Sequence, residues 1–326
     1  MATSDRFSIL GQIRSGTARL VTPVTETDRK RRRIAALTAP FLVLAVFGAF
    51  VPLVVMVRMS VSESNFALQG FQLRSYEVLF TSIIAFVPGI SIGGDVNPVY
   101  GLVVWNSIWF GALTTVVSVV FGVAIAHGLE KYDLPREGLL VTLISFPISL
   151  PGIVAAFMII VWFSQTGILT NFFAWLTGSS AVTIALTGQP SGTLLAIAGL
   201  FLGYLYSMIP RATFLLRGSY AEVNTAAEEA ARSLGATPLE TFRYVTLPQV
   251  RPGIVGALIL TFRTALAIFG TVLVLKALSV ITFRFDQEIQ VGFNLANAAA
   301  LATVFFVFTL LFTFLLLRYP SSEVTV

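Results

Sequence analysis

Glu229–Pro248 reads EAARSLGATPLETFRYVTLP, a stretch holding two Glu and two Arg. It is enclosed by two apolar stretches. Thr193–Pro210, continuing to about Tyr220, precedes it, and Gly253–Leu275 follows it. A helix rises about 1.5 Å per residue, so about 20 apolar residues cross the roughly 30 Å of bilayer hydrocarbon. Both flanks reach that length once helical. A polar island held between them reads as a loop joining membrane helices.

Working outward, four further segments have the same character: Ile34–Val57, Leu102–His127, Leu139–Phe163 and Ala296–Leu317. Strands of a membrane barrel would be shorter and would alternate apolar with polar residues. The expected fold is therefore an all-α membrane protein with about six transmembrane helices. Composition agrees. The 326 residues are 56% hydrophobic and 11% charged, with a mean hydropathy of +0.86, whereas soluble domains carry about 25% charged residues. The net charge of +5 does not point to nucleic acid, because the charges gather at the ends of apolar runs. No cysteine is present and His127 is the single histidine. That excludes a disulfide framework, a thiolate site and a histidine-cluster metal centre.

The placement of Lys and Arg sets orientation. With the N-terminus inside, the inner side holds the basic residues of the first 33, which end in the run Arg29-Lys30-Arg31-Arg32-Arg33. It also holds Lys131, Arg136, Arg211, Arg217, Arg232, Arg243, Arg251 and Arg318. The outer side holds only Arg58, Arg74, Lys276 and Arg284. Both termini are expected in the cytoplasm. The organisation that follows is a cytoplasmic tail over 1–33, a first transmembrane helix over 34–57 and an external loop over 58–101. A core over 102–318 contains a cytoplasmic loop at 221–252, and a short tail covers 319–326. The tail does not resemble a secretory signal, in which an apolar core follows a short basic start at once. Phe7, Ile9, Leu10 and Ile13 could form an interfacial helix there, with a disordered tail as the alternative. In the external segment Gly93-Gly94-Asp95 and Pro98 read as turns.

Local chemistry in the 221–252 loop predicts two short helices and a bend. Thr225 with Glu228 fits a capping box ahead of a helix from about Ala226 to Leu234. Gly235 stands where a left-handed residue is wanted. Thr237, Pro238 and Glu240 fit a second capping box with proline at the first helical position. Leu247-Pro248 and Pro252 are expected to end that second helix and turn the chain back toward the membrane. Ala230 and Ala231 leave a face small enough for close approach by a partner.

Glu229, Ala230, Ala231, Gly235, Val245, Leu247 and Pro248 occupy every fixed position of the pattern E-A-A-x3-G-x9-[I/V]-x-L-P. This resembles the cytoplasmic EAA loop of the permease subunits of binding-protein-dependent type I ABC importers. The resemblance extends over about residues 100–318. Asn106-Ser107, Gly122 and Ala124 are similar to the start of the family's core, and Pro147 with Leu150-Pro151 to its proline-broken helix. Phe269-Gly270 and Ala298-Ala299-Ala300-Leu301-Ala302 are also similar. The resemblance implies a MetI-like permease bundle in the plasma or inner membrane. It implies that the seven loop residues dock onto a cytoplasmic ABC ATPase dimer, which binds ATP and Mg. It further implies a second permease subunit, identical or related, and an extracytoplasmic solute-binding protein.

Other chemistry is missing. A P-loop needs lysine within G-x-x-x-x-G-K-[S/T], and Lys30, Lys131 and Lys276 all lie outside that context. The chain is thus expected to be a transport subunit with no catalytic residue, no cofactor of its own and no metal site. The acid pairs Glu228-Glu229 and Asp286 with Glu288 read as solvated or structural.

Arg263 lies about ten residues, or roughly 15 Å, into the fifth span. An ionisable group at that depth faces a cavity or a partner, or snorkels to the interface. Pro147, Pro151 and Gly152 break backbone hydrogen bonding inside the third span, which is tolerated against protein or a water-filled cavity. Phe262 and Phe269 are candidates for a gate or for packing. Asn106 is a candidate for the path or for a helix cap, and His127 for the cytoplasmic cap of its span. Pathway candidates are therefore Arg263, Phe262, Phe269, Asn106 and Pro151. The run Phe262-Arg263-Thr264-Ala265-Leu266 with Phe269-Gly270 resembles the sulfate, molybdate and ferric-iron branch of these permeases. The substrate range is an oxyanion or ferric iron, or a polyamine or other small organic solute. The rival class, a self-contained secondary transporter or channel, needs titratable groups within the spans, where only Arg263 lies deep.

Overall fold

The computed structural model describes residues 26–64, 67–87 and 96–318. The interfacial-helix reading, the Gly93-Gly94-Asp95 turn and the 319–326 tail lie outside the described residues, as does most of the 1–33 tail. The chain divides into two compact units, Met1–Arg58 and Met59–Val326, taken here in turn.

In the first unit α1 (Glu26–Ala45) continues through a π turn, Val46–Phe50, into α2 (Val51–Ser60). The basic run Arg29–Arg33, expected in a tail, is therefore helical; Arg and Lys are nearly as good helix formers as Leu. No part of this helix's apolar window is buried. Leu37, Phe41 and Leu44 are all highly exposed, a surface that suits an apolar surrounding such as lipid.

The second unit is built on three long helices. α4 (Pro98–Lys131) lies against α9 (Leu194–Ala221), and α12 (Leu247–Ala267) packs on both. Small residues bring the first two together: a Cβ on Gly122 would lie 2.9 Å from the Ala212 Cβ. Close backbone approach of this kind replaces the hydrophobic drive that is lost between helices in lipid. One buried cluster, with Phe110, Leu200, Tyr204 and Met208, fills one half of this assembly. Another, with Val119, Ala212, Leu216 and Tyr220, fills the cytoplasmic half. α4 begins at Pro98, capped by the Asn97 side chain, so Pro98 opens a helix where a turn was expected. Proline at the first helical position gives up no intrahelical bond. The external segment also carries α3 (Arg74–Ala85), which packs on α4 and on α15 (Leu295–Arg318) through Leu79, Tyr100 and Leu301.

The third and fifth spans are each interrupted. α5 (Glu137–Ser149) ends at Leu150-Pro151, and α6 (Gly152–Phe163) follows. α12 ends at Ala267, and α13 (Gly270–Leu275) resumes after Ile268-Phe269. Short helices α7 (Ile168–Thr177) and α8 (Ala181–Ile184) lie in the outer segment before α9. α10 (Thr225–Ser233) and α11 (Pro238–Thr241) lie in the cytoplasmic loop, and α14 (Ile281–Gln290) precedes α15. Among the described residues there is no strand, and six helices are long and apolar enough to cross a membrane.

Candidate coupling loop and solute path

The loop between α9 and α12 is fastened at its root. Asn224 caps α10, its side chain accepting from the amides of Ala226 and Ala227. Thr225 is therefore not the cap, and Glu228 does not complete a box with it. Glu228 instead turns inward, 4% exposed. It is ion-paired with Lys131 at 2.8 Å and accepts a hydrogen bond from the Thr246 hydroxyl. Burial works against its charge, but the bonds from Lys131 and Thr246 prevail and hold the carboxyl below its ordinary value. The acid read as solvated or structural is thus a structural one, joining the end of α4 to both arms of the loop. His127 does not cap α4. Its ring lies among Tyr132, Tyr220 and Phe242, 4.9 Å from the Phe242 centroid. Arg217 adds pairs to Glu130 and Glu137.

At its tip the loop turns on Gly235, whose φ of +91° is left-handed. Thr237 and Glu240 form a complete capping box, with Pro238 at the helix start. The second helix does not end at Leu247-Pro248. A π turn, Phe242–Thr246, carries it into α12, with Pro252 inside. Proline lacks the N–H that an α-turn needs, and a π turn immediately before Pro248 shifts the bonding register at that point. Glu229, Ala230, Gly235 and Pro248 are exposed, while Ala231, Val245 and Leu247 are half-buried. Beside them stand three large side chains that sequence reasoning passed over: Leu234 (90% exposed), Leu239 and Tyr244.

The two helix interruptions meet. A Cβ on Gly270 would lie 2.9 Å from the backbone nitrogen of Ile153, and the Thr271 hydroxyl donates to the Gly152 carbonyl at 3.1 Å. The Ile268 carbonyl, released by the second interruption, accepts from Thr282 at 3.0 Å. Pro151 and Phe269 stand exposed beside this junction. The other path candidates separate from it. Phe262 packs on Phe312, with centroids 5.0 Å apart. Asn106 is buried, donating to the Ser279 carbonyl at 3.0 Å and accepting from Trp109 at 3.1 Å, so it braces α4 against the segment after α13. It is not a helix cap.

Arg263 is exposed on α12 and lines a cavity of about 440 Å³ together with Arg211 of α9. Arg211 was placed from sequence only on the inner side. α9 runs on to Ala221, close to the expected end near Tyr220, and holds Arg211 within the helix. Among the described residues no three His, Cys, Asp or Glu side chains come together as a metal would need.

Residues 118–319 match the family described as "Binding-protein-dependent transport system inner membrane component". The chain belongs to this family. It is a multi-pass membrane protein and the permease subunit of an ABC importer. It is similar to the sulfate transport system permease protein CysT of Salmonella typhimurium, at 30% identity over 203 residues, 60% of this chain and 67% of that one. It is also similar to a probable molybdenum ABC transporter permease protein of Haloferax volcanii, at 27% identity, covering 64% of this chain and 71% of that one. The spermidine/putrescine permease protein PotB of Haemophilus influenzae is 25% identical, over 53% of this chain and 58% of its own. Among solved structures, a bacterial ABC transporter involved in alginate import shares the fold. Its TM-score is 0.73 at 16% identity, over 92% of this chain and 99% of that one.

In the permease, then, five of the seven motif residues lie in the loop and the other two, Leu247 and Pro248, open α12, while two of the five path candidates, Pro151 and Phe269, share one junction. Arg211 could have been found by the argument applied to Arg263: a charge following Pro210 in a helix that does not stop there.

Proposed function

We propose that this permease forms part of a solute pathway and is driven through its 221–252 loop by a separate cytoplasmic ABC ATPase dimer, which binds the ATP and Mg. A second permease subunit, identical or related, completes the pathway, and an extracytoplasmic solute-binding protein delivers the solute. The chain carries no ATPase site of its own. The observation that carries this reading is the shape of the loop. Leu234, Leu239 and Tyr244 project from a tip whose root is locked by Glu228, Lys131 and Thr246. Exposed apolar groups on a fixed support suit a protein contact. A locked root passes the partner's movement into α4 and α12, which rocks the bundle between two states. Glu229, at the exposed face of α10, is placed to meet a basic group of the ATPase. The solute is an oxyanion, ferric iron, a polyamine or another small organic molecule; the names of the relatives support the oxyanion and polyamine members of that range.

The test is co-expression with the ATPase. Gly235→Asp forces a side chain into a left-handed turn, which disfavours L-residues by about 1–2 kcal/mol, and places a charge among Leu234 and Leu239. ATPase recovered with the permease should fall about tenfold or more, with membrane insertion unchanged. Glu229→Ala should lower solute-stimulated ATP hydrolysis while leaving permease yield alone. Normal ATPase recovery and normal uptake in both variants would exclude docking through this loop.

A further inference from the structure

We infer that the groove between α9 and α12 is an oxyanion site on the cytoplasmic side of the helix junction, and that the permease's solute is a compact oxyanion and not a polyamine. This deepens the reading of the chain as a permease and rests on it.

Lys131, Arg217 and Arg284 are ion-paired to carboxylates within the chain. Arg211 and Arg263 line one cavity, and among the described residues neither has an ion-pair or hydrogen-bond partner; no carboxylate lines the cavity. Two permanent positive charges therefore face the same space without a counter-charge. The other walls include Ile148, Met208 and Leu260, apolar groups that weaken screening and strengthen the field in the groove.

The uncharged polar groups point the same way. Thr264 donates to the Leu260 carbonyl at 2.8 Å, the usual use of a helical threonine. Thr261, one turn earlier on the same wall, is 2% exposed, and its hydroxyl has no partner. A buried hydroxyl without a partner is disfavoured. Thr261 borders the cavity, with its hydroxyl oxygen buried in the wall. The two guanidinium groups only donate, whereas a hydroxyl can donate or accept. Guanidinium donors suit a ligand that accepts, and their planes match the paired oxygens of an oxyanion. A polyamine would bring more donors and like charge to the same space.

Position completes the case. Arg211 is six residues, about 9 Å along α9, from the ion-paired Arg217 at the cytoplasmic end. Arg263 is five residues, about 7.5 Å, before the interruption at Ile268. Ile148 stands just ahead of the interruption at Leu150-Pro151. The groove therefore lies on the cytoplasmic side of the Gly152–Gly270 junction. Its volume admits a tetrahedral oxyanion with some of its water, and its open side favours release over tight retention.

A phospholipid headgroup offers the same chemistry, so the experiment separates the two sources. The purified full chain, in phosphatidylcholine nanodiscs, is titrated with radiolabelled sulfate. Molybdate, inorganic phosphate and spermidine are competitors. Saturable sulfate binding displaced by molybdate but not by spermidine is expected. Arg211→Gln and Arg263→Gln should each weaken it about tenfold, with Arg→Lys at either position retaining more, and Thr261→Val should weaken it about threefold. The Lys and Val variants keep the test valid if a Gln variant misfolds. Absence of saturable oxyanion binding to the wild type overturns the site, and so does unchanged binding in all variants. A third overturning result is loss of tightly bound phospholipid phosphorus in the Gln variants without sulfate binding in the wild type, which would assign the groove to a headgroup. Spermidine uptake by the assembled transporter, without oxyanion uptake, overturns the solute class. ATPase recovery depends on the distant loop, so failure there would strike the permease reading and leave the groove measurement standing.

Discussion

In the cytoplasmic loop Glu228 is ion-paired with Lys131 at 2.8 Å and accepts from Thr246, whereas in the groove Arg211 and Arg263 share about 440 Å³ with no carboxylate. The root of the loop satisfies its buried charge internally, and the tip turns apolar groups outward. The groove keeps apolar walls and leaves its charges and one hydroxyl unsatisfied. The first arrangement suits a part that must move as a unit, because a buried, fully bonded network holds one geometry. The second suits a part that must receive something and let it go. The same residue type serves both: Arg217, a turn and a half from Arg211, is held by Glu130 and Glu137.

The strongest way to break this contrast is to make the loop resemble the groove. Lys131→Ala leaves Glu228 buried without its cation, and removing one partner of a buried pair destabilises by about 3 kcal/mol or more. The purified permease should melt earlier and retain less ATPase. The pH dependence gives the sign. In the native protein the Glu228 carboxyl is held below its ordinary value. The pair's contribution is therefore complete above the ordinary carboxylate range and is lost only as pH falls through the depressed value. In Lys131→Ala the Thr246 bond and the Arg232 charge remain, but the bond and charge of Lys131 are lost, so burial weighs more and the value moves up. The penalty is then greatest at neutral pH and is relieved on acidification, as the carboxyl takes up a proton in the fold. Thermal melts of the two proteins between pH 7 and pH 5 should converge. Parallel curves would mean that Glu228 is not buried as a charge.

A smaller effect is expected at the helix junction, where the question is whether close approach of the two interruptions matters. Gly270→Ala adds a Cβ 2.9 Å from the Ile153 backbone nitrogen, and backbone yields less readily than a side-chain end. Overpacking of this kind destabilises by about 2 kcal/mol. Uptake per assembled complex should fall while ATPase recovery through the loop stays normal. Equal loss of both would join the two regions into a single cooperative unit and remove the distinction drawn between them.

These regions were not equally legible. Gly235 and the Thr237–Glu240 box could be read because a cap is settled within one turn of chain. The same local rule misassigned Thr225 and Glu228, since Asn224 competes for the cap and Lys131, 97 residues away, claims the carboxylate. Pro151 announced the first interruption through its missing N–H. The second, at Ile268-Phe269, has no proline. Its neighbour Gly270 shows its purpose only beside Ile153 and Gly152. Arg263 drew notice as a lone charge in an apolar run, but a groove needs two walls. That Arg211 faces the same space follows from the packing of α9 on α12, which no spacing along the chain records.

The smallest expected effect sharpens the contrast at its most local point, the start of α10. Two adjacent residues compete there for the cap. The Asn224 side chain holds the amides of Ala226 and Ala227 at 3.0 and 3.3 Å, so Asn224→Ala should destabilise the loop by about 1 kcal/mol. Thr225→Ala should change stability by less than about 0.5 kcal/mol, as for an exposed position without a special role. Hydrogen exchange of the α10 amides in the full chain can resolve the difference. Asn224→Ala should speed exchange roughly fivefold at these sites, and Thr225→Ala should leave it unchanged. The alternative pairing makes the opposite demand, because in a Thr225–Glu228 box both partners matter and Asn224 does not. Faster exchange in Thr225→Ala alone would return Glu228 to its own helix, release Lys131, and make the root of the loop as open in charge as the groove.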